Sequence, residues 1–165
     1  MFKLVVAGSR SFADFDRLSA DLDYLLSKKS PDDVEIVSGG ASGADALAER
    51  YARSRGLAFR AFPADWRRWG KLAGPIRNRQ MADYGSAAVV YWDGRSRGSA
   101  DMISAASAAG LRVVVRRFWP PAFYHLPRSV RYGSAVPLLA TWYKYRRQQS
   151  AQTSSSSPWQ PIRQR

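Results

Sequence analysis

Five short, largely β-branched apolar runs, separated by stretches with helical periodicity, occupy the first 117 residues and leave few folds open. The runs are KLVVA (Lys3 to Ala7), VEIVS (Val34 to Ser38), Leu57 to Phe62, AAVVYW (Ala87 to Trp92) and LRVVV (Leu111 to Val115). Several are apolar throughout, which suits strands covered on both faces. Between the first two, Phe15, Leu18, Leu22, Leu25 and Leu26 fall on one helical stripe behind Asp14, a predicted N-cap. A second helix is predicted from Ala44 to Arg55, closed by Gly56 in a left-handed C-cap. A third covers Ile76 to Tyr84, and a fourth covers Ala100 to Ala109 ahead of Gly110. This alternation predicts an α/β protein: a Rossmann-like three-layer sandwich around a parallel sheet of about five strands.

With 165 residues and 45% apolar content, the chain can bury one core and carry an appendage. Residues 1–117 are predicted to form the domain, and residues 118–165 a basic C-terminal extension. No apolar run approaches the roughly 20 residues that span a bilayer, so no membrane partner is expected. The opening MFKLVVAGSR turns polar too early for a signal peptide, which predicts a cytoplasmic protein or one inside a virion or nucleoprotein particle. The absence of cysteine excludes a disulfide, a thiolate nucleophile and a Cys-ligated zinc, and the single histidine, His125, excludes a histidine-cluster metal site.

The net charge is +13, from 26 Lys+Arg against 13 Asp+Glu, so the surface attracts polyanions. Residues 118–165 carry Arg128, Arg131, Lys144, Arg146, Arg147, Arg163 and Arg165 with no acid, and are expected to contact nucleic acid or another protein subunit. Within them, WPPAFYHLP is too proline-rich to continue a strand or helix. Residues 135–149 are predicted to form a helix with Leu138, Leu139, Trp142 and Tyr143 on one side. The closing SAQTSSSSPWQPIRQR has linker composition, predicted to be flexible alone or held by a partner.

Glycine and hydroxyl residues follow three of the predicted strands. VSGGASGAD carries Ser38, Gly39, Gly40, Gly43 and Asp45 into the second helix, where bare backbone N–H groups can cradle an anion. Gly8, Ser9 and Arg10 follow the first strand, and Asp93, Gly94, Ser96, Gly98 and Ser99 follow AAVVYW. Equivalent strand ends converge on one crevice in an open α/β sheet. GPIRNRQM places Arg77, Asn78 and Arg79 at the start of the third helix, where an arginine can fork onto phosphate and an asparagine can pair with a base or ribose. Together these residues point to a phosphate-bearing ligand. Trp66, Trp69 and Trp92 are expected to roof that pocket or fill the core, Asp65-Trp66 to anchor a loop, Arg67 and Arg68 to form a solvated face, and His125 to be structural.

GSRSF, VSGGASGAD, FPADW, GPIRNRQM and WDGRSRGS, in this order, resemble the YspA-like members of the SLOG superfamily, relatives of the Lonely Guy phosphoribohydrolases and of DNA-processing protein A. The resemblance covers residues 2 to about 117. It implies a pocket for a nucleotide or an ADP-ribose-like derivative, built from the glycine-turn residues with Arg77 and Asn78. Related enzymes release a base with a glutamate on the helix after a PGGxGTxxE turn. The comparable turn here, DGRSRGSADM, puts Met102 at that position, and Asp101 stands one residue away, rotated by about 100° on a helix. The resemblance to DNA-processing protein A implies a single-stranded DNA partner. Three readings follow: a nucleotide-binding module, a nucleic-acid-binding or nucleoprotein subunit attached through the basic tail, and a nucleotide N-glycoside hydrolase. The third is weakened by Met102, and no catalytic residue is assigned.

Overall fold

A computed structural model describes residues 1–119 of the protein. The predicted helix over 135–149, His125 and the seven basic residues from Arg128 to Arg165 lie outside the described residues.

In chain order the elements are β1 (Phe2–Gly8), α1 (Phe15–Leu26), β2 (Val34–Ser38), α2 (Ala44–Arg55), β3 (Ala58–Ala61), α3 (Trp66–Trp69), α4 (Ala73–Tyr84), β4 (Ala87–Trp92), α5 (Arg97–Ala108) and β5 (Arg112–Arg117). All strand pairs are parallel, in the order β3-β2-β1-β4-β5. The α/β class and the five-stranded sheet are therefore as predicted.

Alternation along the central strands builds the two faces. Leu4 and Val6 of β1, Ile36 of β2 and Val89 and Tyr91 of β4 pack under Leu18, Leu22, Ala48 and Tyr51 of α1 and α2. Val5, Ala7, Val37, Ala88 and Val90 pack under Met81, Ala82, Met102 and Ala106 of α4 and α5. Each fully buried aliphatic side chain contributes about 1.5–3 kcal/mol, so the three inner strands carry the fold. The edge strands β3 and β5 are shorter or shifted relative to expectation and leave much of their surface open. Each edge strand pairs with a single neighbouring strand, so β-branched sequence alone did not fix their ends.

Local capping follows the sequence closely. Asp14 accepts from the Arg17 N–H at 3.0 Å at the start of α1, and Gly56 ends α2 at φ +64° while its N–H donates to the carbonyls of Ala52 and Arg53. Two helices start earlier than predicted. Helix α4 begins at Ala73, before Gly74-Pro75, because the first-turn N–H groups of a helix have no intrahelical acceptor and proline forfeits nothing there. Arg77 and Asn78 therefore sit in its second turn. Helix α5 begins at Arg97, capped by Ser96, whose hydroxyl accepts from the Ser99 N–H at 3.3 Å.

After β1 the chain moves outward through β2 and β3, then returns to the other side of β1 for β4 and β5. The loops after β1 and β4 consequently lead to helices on opposite faces, and a crevice opens between them at the carboxyl ends of the strands.

Candidate functional site

The crevice is a cavity of about 790 Å³. The loop after β1 contributes Gly8, Ser9 and Arg10 to its wall. Phe12 fixes that loop from below, buried and stacked on Tyr91 at 4.4 Å between ring centroids. Gly8 lets α2 approach: a Cβ there would meet the Tyr91 carbonyl and stand 2.8 Å from the Ala44 Cβ.

Opposite lies the loop after β4. Asp93 accepts through Oδ1 from the N–H groups of Arg95 (2.9 Å) and Ser96 (2.8 Å). Burial alone would raise its carboxyl, but these donors hold it below the ordinary carboxylate value of 3.8. The two loops are tied by hydroxyls. The Asp93 N–H donates to Ser9 Oγ at 3.2 Å, Ser9 Oγ and Ser99 Oγ are 3.3 Å apart, and the Ser99 hydroxyl donates to Ser96 Oγ at 3.0 Å. Three serines thus gather at the N-terminus of the 12-residue α5, where the helix dipole favours an anion. Arg10, Lys71 and Arg97, all exposed, line the same cavity.

The VSGGASGAD loop plays a different part from the one its glycines suggest. Asp45, almost fully buried, accepts through Oδ2 from the N–H groups of Gly39 (3.0 Å) and Ala41 (3.4 Å). Two of the donors expected to cradle a phosphate thus hold the protein's own carboxylate, and a third, the Gly40 N–H, donates to Ser38 Oγ. Gly39 admits an arginine rather than a ligand: a Cβ there would fall on the Arg77 guanidinium. Arg77 Nη1 donates to the Gly39 carbonyl at 2.6 Å and lies 3.7 Å from Asp45 Oδ2. Burial raises the Asp45 carboxyl despite Arg77, and burial lowers the Arg77 guanidinium despite Asp45. Gly43 combines φ +79° with a site where a Cβ would stand 2.5 Å from the Ser9 carbonyl oxygen.

Of the residues singled out in the sequence, the cavity lining brings together Gly8, Ser9, Arg10, Asp45, Arg77 and Asn78 from one side, and Asp93, Ser96, Gly98 and Ser99 from the other. Ser38, Gly39, Gly40, Gly43 and Gly94 are not part of it. Ser38 is buried, with its Oγ accepting from the Gly40 N–H at 3.3 Å, and Gly94 forms the turn after β4 at φ +78°. Met102 packs into the core under α5, 1% exposed. Asp101 is the carboxylate of that helix lining the cavity, and Asn78 Nδ2 donates to its Oδ2 at 2.7 Å. The rotation of about 100° between neighbouring helix positions predicts that Asp101 does not simply substitute for the glutamate of related enzymes, and positions 101 and 102 both line the cavity.

Of the three tryptophans expected to roof the pocket or fill the core, Trp66 lines the cavity and Trp92 packs against the core, while Trp69 does neither. Trp66 and Trp69 are 53% and 44% exposed and belong to no core, although Trp66 lines the cavity. Asp65 anchors their turn by accepting from the Arg68 N–H at 3.0 Å. Trp92 is half-buried, its indole N–H donating to the Ser96 carbonyl at 3.1 Å. Lys71, Arg97 and Asp101 were not selected as site residues in the sequence. The run of charge and aromatics in WRRWGK was the available signal for Lys71. Among the described residues no cluster of metal-ligating side chains occurs, and no helix is long and apolar enough to cross a membrane.

A parallel sheet in this strand order, with a serine-lined crevice at its switch point, defines a Rossmann-like protein with a cavity between its two half-sheets. Residues 2–69 match the YspA, cpYpsA-related SLOG family. The chain is also 34% identical over 124 residues to the Gene 61 protein of Mycobacterium phage D29, covering 69% of this chain and 95% of that protein. The protein belongs to this SLOG family. Its fold is similar to the X-ray structure of DNA processing protein A (DprA) from Streptococcus pneumoniae, with a TM-score of 0.56 and 21% identity over 69% of this chain. The chain spans about half the length of that structure, 49%.

Proposed function

We propose that the protein binds a nucleotide or a nucleotide-derived ligand in the crevice, as a binding module rather than a hydrolase. The observation that carries this reading is the convergence of Ser9, Ser96 and Ser99 on the N-terminus of α5, beneath the cationic rim of Arg10, Lys71 and Arg97. Hydroxyls and a helix N-terminus match a phosphate, and the cavity has room for more than a phosphate alone. Membership of the SLOG family supports the same reading. The phosphate place is thereby proposed at the β1 and β4 loops and not at VSGGASGAD, where the Gly39 and Ala41 N–H groups serve Asp45 and the Gly40 N–H serves Ser38.

Native mass spectrometry of the purified full chain, followed by calorimetric titration with nucleoside monophosphates and ADP-ribose, tests the proposal. A retained or titratable phosphate ester that Ser99→Asp abolishes is expected. A chain that retains nothing and binds none of these at millimolar concentration refutes it. Incubation with the same monophosphates should release no free base.

A second reading, a nucleic-acid partner, is favoured by one surface. Among the described residues, three of the six large exposed apolar side chains, Trp66, Trp69 and Leu72, fall in one seven-residue segment with Arg67, Arg68 and Lys71. Exposed indoles that stack on bases beside cations that neutralise phosphates suit a single strand. The basic residues between 128 and 165 would add to it. A salt titration of oligonucleotide binding on the full chain and on a chain lacking residues 144–165 separates the two contributions.

A further inference from the structure

Asp101 has a place in the cleft that the phosphate reading does not use. Its Oδ2 accepts from Asn78 Nδ2 at 2.7 Å, while the same amide nitrogen reaches the Gly98 carbonyl at 3.2 Å. Asn78 Oδ1 in turn accepts from Arg77 Nε at 3.1 Å. The amide orientation is thereby set: turning it over would place N–H against N–H at Arg77 and oxygen against two oxygens at α5. Asn78 is 3% exposed, and Arg77 continues the chain of bonds to the Gly39 carbonyl. A buried, fully directed relay thus holds one oxygen of Asp101 still at the wall of an open cavity.

An ionised carboxylate accepts about four hydrogen bonds, and Asn78 supplies one. Among the described residues no cation lies within ion-pair distance of Asp101. The group it meets in a ligand must therefore satisfy two conditions. It cannot be phosphate, because like charges repel inside a partly desolvated cleft. A cation is disfavoured too, since Arg10, Lys71 and Arg97 line the same cavity and give it a positive potential. What remains is a neutral O–H or N–H donor attached to an anion that the serines hold. Ser99 and Asp101 line the same cavity, and Asn78 Nδ2 joins the Asp101 carboxylate to the Gly98 carbonyl in the first turn of α5, so the carboxylate lies beside the phosphate place without occupying it. In a nucleotide, the neutral donors next to the phosphate are the sugar hydroxyls.

We infer that Asp101 is a binding residue that selects a ribose over a 2-deoxyribose by accepting from the sugar hydroxyls, an inference that rests on the nucleotide-binding reading above. A site built to accept a hydroxyl discriminates against the analogue that lacks it, because the half-buried carboxylate held by Asn78 then loses a charge-assisted hydrogen bond. The Asn78 relay matters because it prevents the carboxylate from turning away to find water.

The test uses ribose 5-phosphate and 2-deoxyribose 5-phosphate, which remove the base from the comparison, together with AMP and its 2′-deoxy and 3′-deoxy forms. Dissociation constants are measured by calorimetry on the full chain and on Asp101→Asn and Asp101→Ala. The wild-type chain is expected to bind the ribo form about 10- to 100-fold more tightly, as for a hydrogen bond to a charged group. Asp101→Ala should bring the two sugars within about threefold by weakening only the ribo form. Asp101→Asn, which keeps the shape and can still accept from Asn78, should fall between. Equal affinity of the wild-type chain for ribo and deoxy forms overturns the inference and leaves nucleotide binding standing. Equal weakening of both sugars by Asp101→Ala also overturns it, since that is the signature of a merely structural carboxylate. If the wild-type chain binds none of these phosphates, the nucleotide reading falls and takes the inference with it.

Discussion

Replacing Gly39 with alanine tests whether the glycine loop serves an arginine or a ligand. The new Cβ would occupy the position of the Arg77 guanidinium and stand 2.8 Å from Asp45 Oδ2. Gly39 does not have a positive φ, so the substitution adds no backbone strain of its own. The effect should come from displacing Arg77, which loses its 2.6 Å bond to the Gly39 carbonyl and its approach to Asp45. A hydrogen bond from a charged donor is worth about 1.5–3 kcal/mol. Removing one partner of a buried ion pair costs about 3–5 kcal/mol. Asp45 would keep its two backbone donors, and at 3.7 Å the pair is loosely made. An overall loss of about 2–4 kcal/mol is therefore expected. Urea unfolding of wild type, Gly39→Ala, Arg77→Ala and the double variant measures it as a double-mutant cycle. In the Arg77→Ala background the glycine substitution should cost under about 1 kcal/mol, giving a coupling of at least about 1 kcal/mol. Equal cost of Gly39→Ala in both backgrounds would refute the argument and return the loop to other duties.

Other outcomes follow from the same geometry. Gly40→Ala should lose only the left-handed penalty of about 1–2 kcal/mol, since nothing lies within 4 Å of its Cβ position, whereas Gly43→Ala should lose more because the Ser9–Arg10 backbone must move; urea midpoints compare them. Asp93 has its folded value below 3.8, so the stability it contributes is present above pH 3.8 and lost as pH falls through the folded value; Asp93→Asn should flatten that part of an acid-unfolding curve. Trp66→Ala with Trp69→Ala should weaken oligonucleotide binding by about 1–3 kcal/mol per stacked base while leaving its salt slope unchanged, measured by fluorescence anisotropy across a salt series. A weakening that instead tracks the salt slope would remove the stacking argument.

Much of the fold is legible in the chain because neighbouring residues set it. The strand runs mark the three central strands, the stripe of Leu18, Leu22 and Leu26 marks α1, and Asp14 and Gly56 mark helix ends through contacts three to five residues away. The ends of α4 and α5 were less legible. Pro75 reads as a boundary in sequence, and only the preceding turn at Gly70–Leu72 shows that it lies inside the first helical turn. The exposure of Trp66 and Trp69 was not legible either, because indole size argues for burial while no core-facing stripe includes them.

The sequence by itself determined the α/β class, the parallel order implied by strand–helix alternation, and the presence of polar and glycine residues at three strand ends. How those ends border the cavity depends on tertiary contacts. Arg77 lies 38 residues from Gly39 and Asp101 lies 23 from Asn78, and no local pattern couples such positions. Folding brings Arg77 into the space that Gly39 leaves, and it closes Asp45 onto the donors of the glycine loop. It also opens the crevice instead beside Ser9, Ser99 and Asp101.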